Sequence, residues 1–342
     1  MIKEKLIDED GQPSFGFFPD GIININHMDY DLRNAMDSKL GHLSKQFKFN
    51  QFQFVGICSP ELIVGIAIVD LKFASNCFVY VYEPNTNSFE EFSFIQPFAI
   101  KTHIGLQPNN SEASFQKGVN KVSISATAIP RLRTVSVSLK SGFKVEAGIE
   151  ESTNFNPLAV CTRAGYTGWV YTQKSTARVC KGSVSWGEAG DKKYDLESIG
   201  ALASVDWGAG YMRRETSWNW GSLSCKLPDG RRLGFNLAAG VNETGFTENG
   251  LWLDGQLHKV DMIDFQFNRY DTNQAWILHS NDGIINLRFE PAGQRKEKMN
   301  LLFVASNFTQ HFGRFYGEVK VSGELINLEG AWGFAEDHYA KW

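Results

Sequence analysis

The chain has 342 residues, and 42% of them are hydrophobic, which is enough to bury a core without help from disulfides or metal ions. Its 34 lysine and arginine residues are nearly balanced by 38 aspartate and glutamate residues, and no long run of either sign occurs. Because nucleic-acid binding requires a concentrated basic face, this balance argues against a nucleic-acid partner.

No segment is predicted to carry the chain into a membrane or out of the cell. The amino terminus is too charged for a signal peptide. The longest apolar run, residues 62–69, is predicted to be a buried strand, far shorter than the roughly 20 residues that a membrane helix needs. The five cysteines include no CxxC pair and are expected to be buried, reduced thiols, so we expect a cytoplasmic protein.

The chain after Phe47 is predicted to form mainly short antiparallel strands. Residues 77–83 and 89–95 flank a Pro-Asn-Thr-Asn turn, and residues 121–127 and 134–139 alternate Val or Ile with Ser or Thr. An alternation of apolar and polar side chains is typical of half-buried strands.

Turn signals continue through the second half of the chain. Hairpin loops are predicted at residues 253–256, 280–283 and 322–324, each between two β-rich runs. Only residues 29–43 favour a short helix. Repeated antiparallel strands with polar hairpins are typical of β-barrels and sandwiches, and a barrel of about eight strands has room for one small apolar ligand.

The aromatic residues divide the chain into two parts. All nine tryptophans lie between Trp169 and Trp342, whereas phenylalanine dominates the chain before them. We therefore predict two β-domains of similar architecture and different internal surfaces, residues 1–196 and 197–342. The aromatic content suits a ligand cavity lined by rings and suits a packed β-core nearly as well.

The most distinctive segment is residues 201–240, in which Asp206 is followed by Trp207 and by a pair formed by Trp218 and Trp220. Burial beside indoles raises the pKa of a carboxyl group and lets it carry a proton near neutral pH, so Asp206 is a candidate acid. The alternative is an ordinary turn or strand-end aspartate that accepts backbone hydrogen bonds. Trp218 and Trp220 share one face of a strand and line either a cavity or the core.

Further candidates are two pairs of polar residues, in which Glu248, Glu336 and His338 are candidates for catalysis and Asn249 for substrate binding. Glu248 and Asn249 are adjacent and could hold a polar substrate end, act as a base or stabilise a turn. Glu336 and His338 would share one face of an extended strand, which suits acid–base chemistry. The remaining candidates for substrate contact are Tyr171, Asn236, Trp252 and His311.

Metal and nucleotide cofactors are not expected. The seven histidines are scattered, and neither an HExxH motif nor a carboxylate cluster with metal-ligand spacing occurs. The glycines fall in turns and not in the strand–GxGxxG–helix context of a dinucleotide site. The remaining chemistry needs only a shaped cavity and one or two groups that transfer protons.

A series of motifs carries a family resemblance through the second half. In chain order these are residues 168–172, 204–207, 216–220, 230–237, 247–249, 254–260, 287–291 and 333–342. The series resembles domain-of-unknown-function family 2804, an uncharacterised bacterial family.

A more distant resemblance rests on the succession of Tyr171, Gly182, Asp206, the Trp218–Trp220 pair and the turn at residues 229–231. This succession is similar to the tandem-lipocalin group that includes carotenoid hydratases, AttH-like proteins and fungal Diels–Alderases. The resemblance implies two calycin-like antiparallel β-barrels and a hydrophobic cavity for an isoprenoid, polyketide or other lipid-like molecule. It also implies that Asp206 protonates an alkene.

These observations favour a cofactor-independent enzyme that acts on a hydrophobic small molecule. Asp206 would protonate a double bond, and Trp207, Trp218 and Trp220 would stabilise the resulting cation by about 0.5–2 kcal/mol each. Hydration, isomerisation and cyclisation all share that step. A lipid carrier with the same cavity is the first alternative. Carbohydrate binding or processing is the second, and polar side chains around paired carboxylates would favour it.

Overall fold

The structure is a computed structural model that describes residues 2–151, 155–240, 245–300 and 304–341. Trp342, which belongs to the last motif of the family resemblance, lies outside the described residues. Within them the chain is almost entirely β-strand, with one α-helix, α1 (His42–Lys48), and two single turns of 3₁₀ helix at His27–Asp29 and Glu188–Gly190.

Residues 2–211 supply sixteen of the described strands. They are β1 (Lys3–Lys5), β2 (Gly16–Phe17), β3 (Ile22–Asn24), β4 (Asn50–Cys58), β5 (Ile63–Asp70), β6 (Ala74–Glu83), β7 (Ser88–Pro97), β8 (Thr102–Ile104), β9 (Glu112–Lys117), β10 (Asn120–Ala128), β11 (Arg131–Ser138), β12 (Lys144–Glu150), β13 (Leu158–Ala164), β14 (Gly168–Trp186), β15 (Lys192–Asp195) and β16 (Leu202–Tyr211).

The remaining described strands are longer on average. They are β17 (Glu215–Lys226), β18 (Arg232–Ala239), β19 (Gly250–Leu253), β20 (Gln256–Lys259), β21 (Ile263–Gln266), β22 (Trp276–Ser280), β23 (Ile285–Asn300), β24 (Ala305–Val321) and β25 (Glu324–Lys341).

Two curled antiparallel sheets contain nearly all of these strands. The first runs β7-β6-β5-β4-β16-β14-β12-β11-β10-β9-β8, with β13 and β15 paired to β14 and β2 paired to β13. The second runs β20-β19-β18-β17-β25-β24-β23-β22-β21. Each sheet encloses its own apolar core, so the predicted all-β fold of two consecutive lipocalin-like barrels is confirmed.

The strand order places the change of sheet later than the boundary expected at residue 196. β16 pairs with β14 and β4 and is therefore part of the first sheet, and the second sheet begins with β17. The division into residues 1–196 and 197–342 stays a prediction.

Side chains alternate across each strand, and this alternation positions the later site. Along β16, Val205, Trp207 and Ala209 point into the core of the first barrel. Asp206 and its even-numbered neighbours therefore point outward, towards the second barrel. The expectation that Trp207 shares a cavity with Asp206 is not met, because adjacent residues of one strand face opposite sides.

The two barrels pack against each other through an aromatic and polar interface. The Phe54 ring lies 5.8 Å from that of Trp220 and 6.0 Å from that of Phe334, both edge to face. The hydroxyls of Ser204 and Ser224 are hydrogen-bonded at 2.8 Å. Strands of both barrels are thus buried on both of their faces where they meet.

The predicted helix at residues 29–43 is wrong. Residues 31–40 are not helical: Arg33 and Lys39 pair in an isolated antiparallel bridge around a turn. In this turn the Asn34 side-chain oxygen accepts hydrogen bonds from the backbone N–H groups of Met36 and Ser38. Such local side-chain hydrogen bonds compete with helix formation. The α-helix begins only after Gly41.

Two further sequence expectations can be compared with the structure. All five cysteines are unpaired, and four of them are buried. None of the helices in the described residues is long and apolar enough to cross a membrane.

Trp207 is the largest side chain that β16 contributes to the first core, so Trp207→Ala tests that assignment. We expect a loss of about 3–5 kcal/mol in the free energy of unfolding, because a large buried cavity forms. Tyr270→Ala is the control, since Tyr270 is 99% exposed. Urea denaturation followed by circular dichroism measures both, and equal stabilities of the two variants would contradict the assignment.

Candidate active site between the two barrels

A cavity of about 200 Å³ lies between the outer face of the first barrel and the facing side of the second. β4, β5, β6, β14 and β16 form one wall, and β17, β18, β24 and β25 form most of the other. The lining is chiefly apolar. Its aromatic side chains are Phe52, Phe54, Phe78, Trp218, Trp220 and Phe308.

Lys174 lies between two carboxyl groups at one wall of this cavity. Its Nζ donates to Asp206 Oδ2 at 2.6 Å and lies 3.2 Å from Glu248 Oε2. All three side chains are buried, with 12% exposure for Asp206 and 5% for each of the others. Asp206 is thus the member of this acid–lysine cluster that is most open to the cavity.

Strand pairing explains how this cluster forms. Lys174 of β14 is directly opposite Asp206 of β16 in the antiparallel register, so the two side chains are cross-strand neighbours. Thr172 lies on the same face of β14 and donates a long hydrogen bond to Asp206 Oδ1 at 3.4 Å. Glu248 arrives from the second barrel, just before β19, so the cluster is complete only when the barrels pack together.

Burial dominates the electrostatics of the two carboxyl groups. It raises the pKa of Asp206, against the attraction of Lys174 and with added repulsion from Glu336. Burial likewise raises the pKa of Glu248, which Lys174 opposes and Asp206 reinforces. Burial alone would lower the pKa of Lys174, but attraction to the two carboxylates outweighs it, and that pKa is raised. The two carboxyls are therefore easier to protonate than in water, and the lysine is harder to deprotonate.

A third carboxyl group, Glu336, lies on the facing wall. Its Oε1 accepts a hydrogen bond from Trp218 Nε1 at 2.9 Å, and its Oε2 accepts one from Gln310 Nε2 at 2.8 Å. Gln310 is held in turn by the hydroxyl of Tyr80, which donates to its amide oxygen. The orientation of the Glu336 carboxylate is therefore fixed by the surrounding strands.

His338 lines the cavity beside Glu336, two residues along the same face of β25. Its ring lies 4.2 Å from that of Trp218 and 4.8 Å from that of Phe308. Its Nε2 is 3.2 Å from Ser306 Oγ, and its Nδ1 is 3.7 Å from Glu336 Oε1. The structure thus brings Glu336 and His338 together at one cavity, in the arrangement the spacing predicts.

The two tryptophans of β17 both line the cavity. Trp220 donates from Nε1 to Asn236 Oδ1 at 2.8 Å, and Asn236 donates from Nδ2 to the backbone oxygen of Glu248 at 2.7 Å. Asn236 therefore does not line the cavity itself but connects the position of Trp220 to that of Glu248.

Two of the candidate contact residues lie inside the first barrel. Trp207 and Tyr171 belong to its core, with their rings 6.0 Å apart. The Tyr171 hydroxyl accepts a hydrogen bond from the backbone N–H of Ile22 and donates one to Gln173. Neither Tyr171 nor Trp207 reaches the cavity, because each lies on the inward face of its strand.

Three others lie apart from the cavity as well. His311 is fully buried on the inward face of β24, 5.7 Å from the Trp276 ring. Trp252 packs in a separate apolar cluster and donates to a backbone oxygen. The Asn249 side chain is hydrogen-bonded to backbone groups of Ala238 and Asp261. These bonds correspond to the turn-stabilising role that was the alternative to substrate contact.

Lys174, Gln310 and Thr172 are cavity residues that the sequence analysis did not identify. The sequence does contain a signal for Lys174. It is the single charged residue between Arg163 and Arg178, and it shares a face of the strand with Thr172. No local signal marks Gln310, whose importance depends on its contact with Glu336 across two strands.

Metal binding finds no support in the described part of the chain. No group of three or more histidine, cysteine, aspartate or glutamate side chains is placed there to hold a metal ion. The acid–lysine cluster itself is unsuited to a cation, because an ammonium group already occupies the position between its two carboxylates.

The fold and cavity define a tandem lipocalin-like protein whose candidate site lies between its barrels. The chain belongs to the family described as a domain of unknown function, DUF2804, whose model matches residues 1–342. Among curated proteins, no sequence matches this chain.

Several solved structures are similar to this chain at low sequence identity. CghA with Sch210972 has a TM-score of 0.54 and 8% identity, over 94% of this chain and 94% of that one. A protein described as AttH from Nitrosomonas europaea has a TM-score of 0.49 and 10% identity, over 85% and 92% of the two chains. Kievitone hydratase from Nectria haematococca has a TM-score of 0.45 and 10% identity, over 96% and 98%.

Replacing Lys174 by methionine leaves two buried carboxyl groups without their shared cation. We expect Lys174→Met to lower the free energy of unfolding by about 3–5 kcal/mol at pH 8. The raised pKa of both carboxyls means that their protonated forms stabilise the fold at low pH, and this stabilisation is lost as pH rises through the folded-state pKa. The variant should therefore be relatively more stable at pH 5 than at pH 8.

Urea denaturation of the wild type and Lys174→Met between pH 5 and pH 8 measures this effect. Lys181→Met is the matched control, because Lys181 pairs with Glu150 and Glu197 at the exposed surface and should change stability much less. A pH dependence of Lys174→Met no steeper than that of the wild type would refute the electrostatic role of the cluster.

Proposed function

We propose that this chain is a cofactor-independent enzyme that converts a hydrophobic, lipid-like small molecule by proton transfer in the cavity between the barrels. The observation that carries the proposal is the acid–lysine cluster, in which three ionisable groups are buried at the wall of a largely apolar cavity. Buried ion clusters rarely contribute much net stability, and perturbed acids concentrate at functional sites.

The charge of the cluster supports its use as a proton donor. With both carboxyls ionised, Lys174 neutralises only one of two negative charges. Uptake of one proton makes the cluster neutral, which a low-dielectric site favours. Asp206 is the member most open to the cavity, so it delivers this proton, and Glu248 is the second carboxyl that shares it.

The reaction then proceeds without a cofactor. The π electrons of a substrate double bond form a C–H bond with the Asp206 proton, Asp206 becomes a carboxylate, and a cation develops on the neighbouring carbon. The indole faces of Trp218 and Trp220 stabilise that cation by about 0.5–2 kcal/mol each. Glu336, oriented by Trp218 and Gln310, accepts a proton either from an adjacent carbon or from an attacking water.

The lining of the cavity favours a hydrophobic substrate over a sugar. Six aromatic side chains and several aliphatic ones form the wall, and the polar groups are gathered at the cluster and around Glu336. CghA, whose solved structure shares the fold, was solved with Sch210972, so that protein of the same architecture accommodates a ligand. Binding without conversion remains the competing function, because the same cavity would serve a carrier.

Asp206→Asn tests the assignment of the acid. The amide keeps the size of the side chain but has no acidic proton to donate. Turnover should therefore fall by about 10²-fold or more while ligand retention persists. Asp337→Asn is the matched control, because Asp337 is the neighbour of Glu336 on the opposite face of β25 and pairs with Arg269. Mass spectrometry of a lipid extract incubated with each protein measures substrate loss and ligand retention together.

The outcomes distinguish enzyme from carrier. A metabolite consumed by the wild type and Asp337→Asn, and retained unchanged by Asp206→Asn, supports the proposed chemistry. A compound retained equally by all three proteins, with nothing converted, would establish the carrier instead.

Glu248→Gln tests the sharing of the proton. Removing this negative charge leaves Asp206 as the one carboxylate in contact with Lys174, so the pKa of Asp206 should fall and Asp206 should lose its proton at lower pH. The alkaline limb of the pH–rate profile should therefore move to lower pH, with reduced activity at pH 7. An unchanged profile in a folded Glu248→Gln protein would exclude Glu248 from the proton store.

A further inference from the structure

The lining of the cavity extends to one end of the first barrel, where β4 begins and β16 ends, and we take this end as the mouth of the cavity. We call this line of strand ends the edge. β4 begins at this edge with Asn50, which is opposite Gly210 of β16, and its neighbour Gln51 is opposite Asp70 of β5. Asp206 lies farther along β16, away from the edge. The lining residues at the edge are Asn50, Gln51, Leu71, Ala164, Met212 and Arg213.

Several segments of the first barrel meet at the same edge. α1 precedes β4 directly, and Pro97 at the end of β7 is opposite Ala74 at the start of β6. The backbone N–H of Phe98 donates to the oxygen of Phe73, so the turn after β7 is joined to the loop that contains Leu71. The hairpin between β13 and β14 also ends here, since Trp169 is opposite Tyr211.

These segments carry large apolar side chains that point to solvent. We call the five of them the apolar rim: Leu43 (73% exposed), Phe47 (51%), Phe98 (72%), Ile100 (53%) and Tyr166 (77%). Leu43 and Phe47 are one helical turn apart and share a face of α1. Exposed apolar side chains occur singly on most proteins, whereas a concentration at a cavity mouth marks an interaction surface.

The backbone conformation at Phe98 supports a functional role for its exposed side chain. Phe98 and Ala99 have φ angles of 53° and 47°, a left-handed conformation that side chains other than glycine rarely adopt. Such strain persists where the surrounding structure imposes it and concentrates at functional segments. Here it presents Phe98 to solvent.

The charges around the apolar rim are basic, although the whole chain carries a net charge of −4. Residues 42–48 and 98–101 contain Lys45, Lys48 and Lys101 and no acidic residue. Two nearby carboxylates are paired with lysines, since Asp70 lies 2.7 Å from Lys72 and Glu215 lies 2.9 Å from Lys341, and the Asp29 carboxylate accepts a hydrogen bond from Asn26.

We propose that the apolar rim docks on the surface of an anionic lipid bilayer, with the cavity mouth facing the membrane. Aromatic and aliphatic side chains flanked by lysines insert into the headgroup region, and the lysines gain from negatively charged lipids. The purpose of docking rests on the proposed function, because a lipid-like substrate is dissolved in the bilayer and would enter the cavity from there. Docking itself depends only on the rim.

Co-sedimentation of the full chain with lipid vesicles tests this. The wild type should bind vesicles of phosphatidylcholine mixed with phosphatidylglycerol, bind phosphatidylcholine alone more weakly, and lose affinity as salt is raised. Leu43→Ser combined with Phe47→Ser should weaken binding at least about tenfold, because the two apolar side chains no longer insert. Lys48→Glu combined with Lys101→Glu should weaken binding only where the anionic lipid is present.

The control is Leu325→Ser, which removes a side chain of 47% exposure at the start of β25, the opposite end of that strand from Lys341. It should bind vesicles as the wild type does. Because Leu43 and Phe47 are exposed, their replacement should leave the unfolding transition unchanged.

The outcomes separate docking from catalysis. Asp206→Asn should bind vesicles normally while losing turnover. Turnover without vesicle binding by the wild type would overturn docking and leave the proposed function standing. Self-association that depends on Leu43 and Phe47, without vesicle binding, would show that the rim contacts protein and would also overturn the proposal.

Discussion

Burial of β14 and β16 on both of their faces is the constraint on which the rest of the structure depends. Their inward side chains, Tyr171 and Trp207 among them, fill the first barrel, and their outward side chains, including Lys174 and Asp206, meet the second. The candidate cavity therefore lies outside both barrels, whose interiors contain the two apolar cores of the described residues. It arises where the second barrel covers polar groups that would otherwise be in water.

The outward face of β16 determines where the barrels touch and where they separate. At Ser204 the side chain is small enough for hydrogen-bonded contact with Ser224 of the second barrel. At Gly208 the Phe52 ring fills the space that a side chain would take, and a Cβ on residue 208 would lie 2.3 Å from Cε1 of Phe52. Asp206 lies between these two positions, at the boundary between direct packing and open cavity. Small residues on either side thus place one carboxyl group at the wall of the cavity.

The two-residue period of strands accounts for what the sequence predicts correctly. It gives the all-β architecture, the common face of Trp218 and Trp220 and the common face of Glu336 and His338. The same period, applied to neighbours, places Trp207 opposite to Asp206, so adjacency in the sequence was misleading there. Lys174 meets Asp206 and Glu248 only through the register of β14 on β16 and the packing of the second barrel. Both are long-range features that no local pattern contains.

The composition of the acid–lysine cluster would meet two opposing demands that the proposed reaction places on a buried acid. Burial by itself would keep Asp206 protonated but would make its conjugate base too unstable to release a proton to carbon. Lys174, 2.6 Å away, stabilises the carboxylate that donation leaves behind, while the negative charge of Glu248 disfavours a second carboxylate at rest. In the proposed reaction, the cluster gains one negative charge when its proton leaves, at the moment the substrate gains a positive one. The two charges face each other across an apolar cavity, where their attraction is stronger than in water.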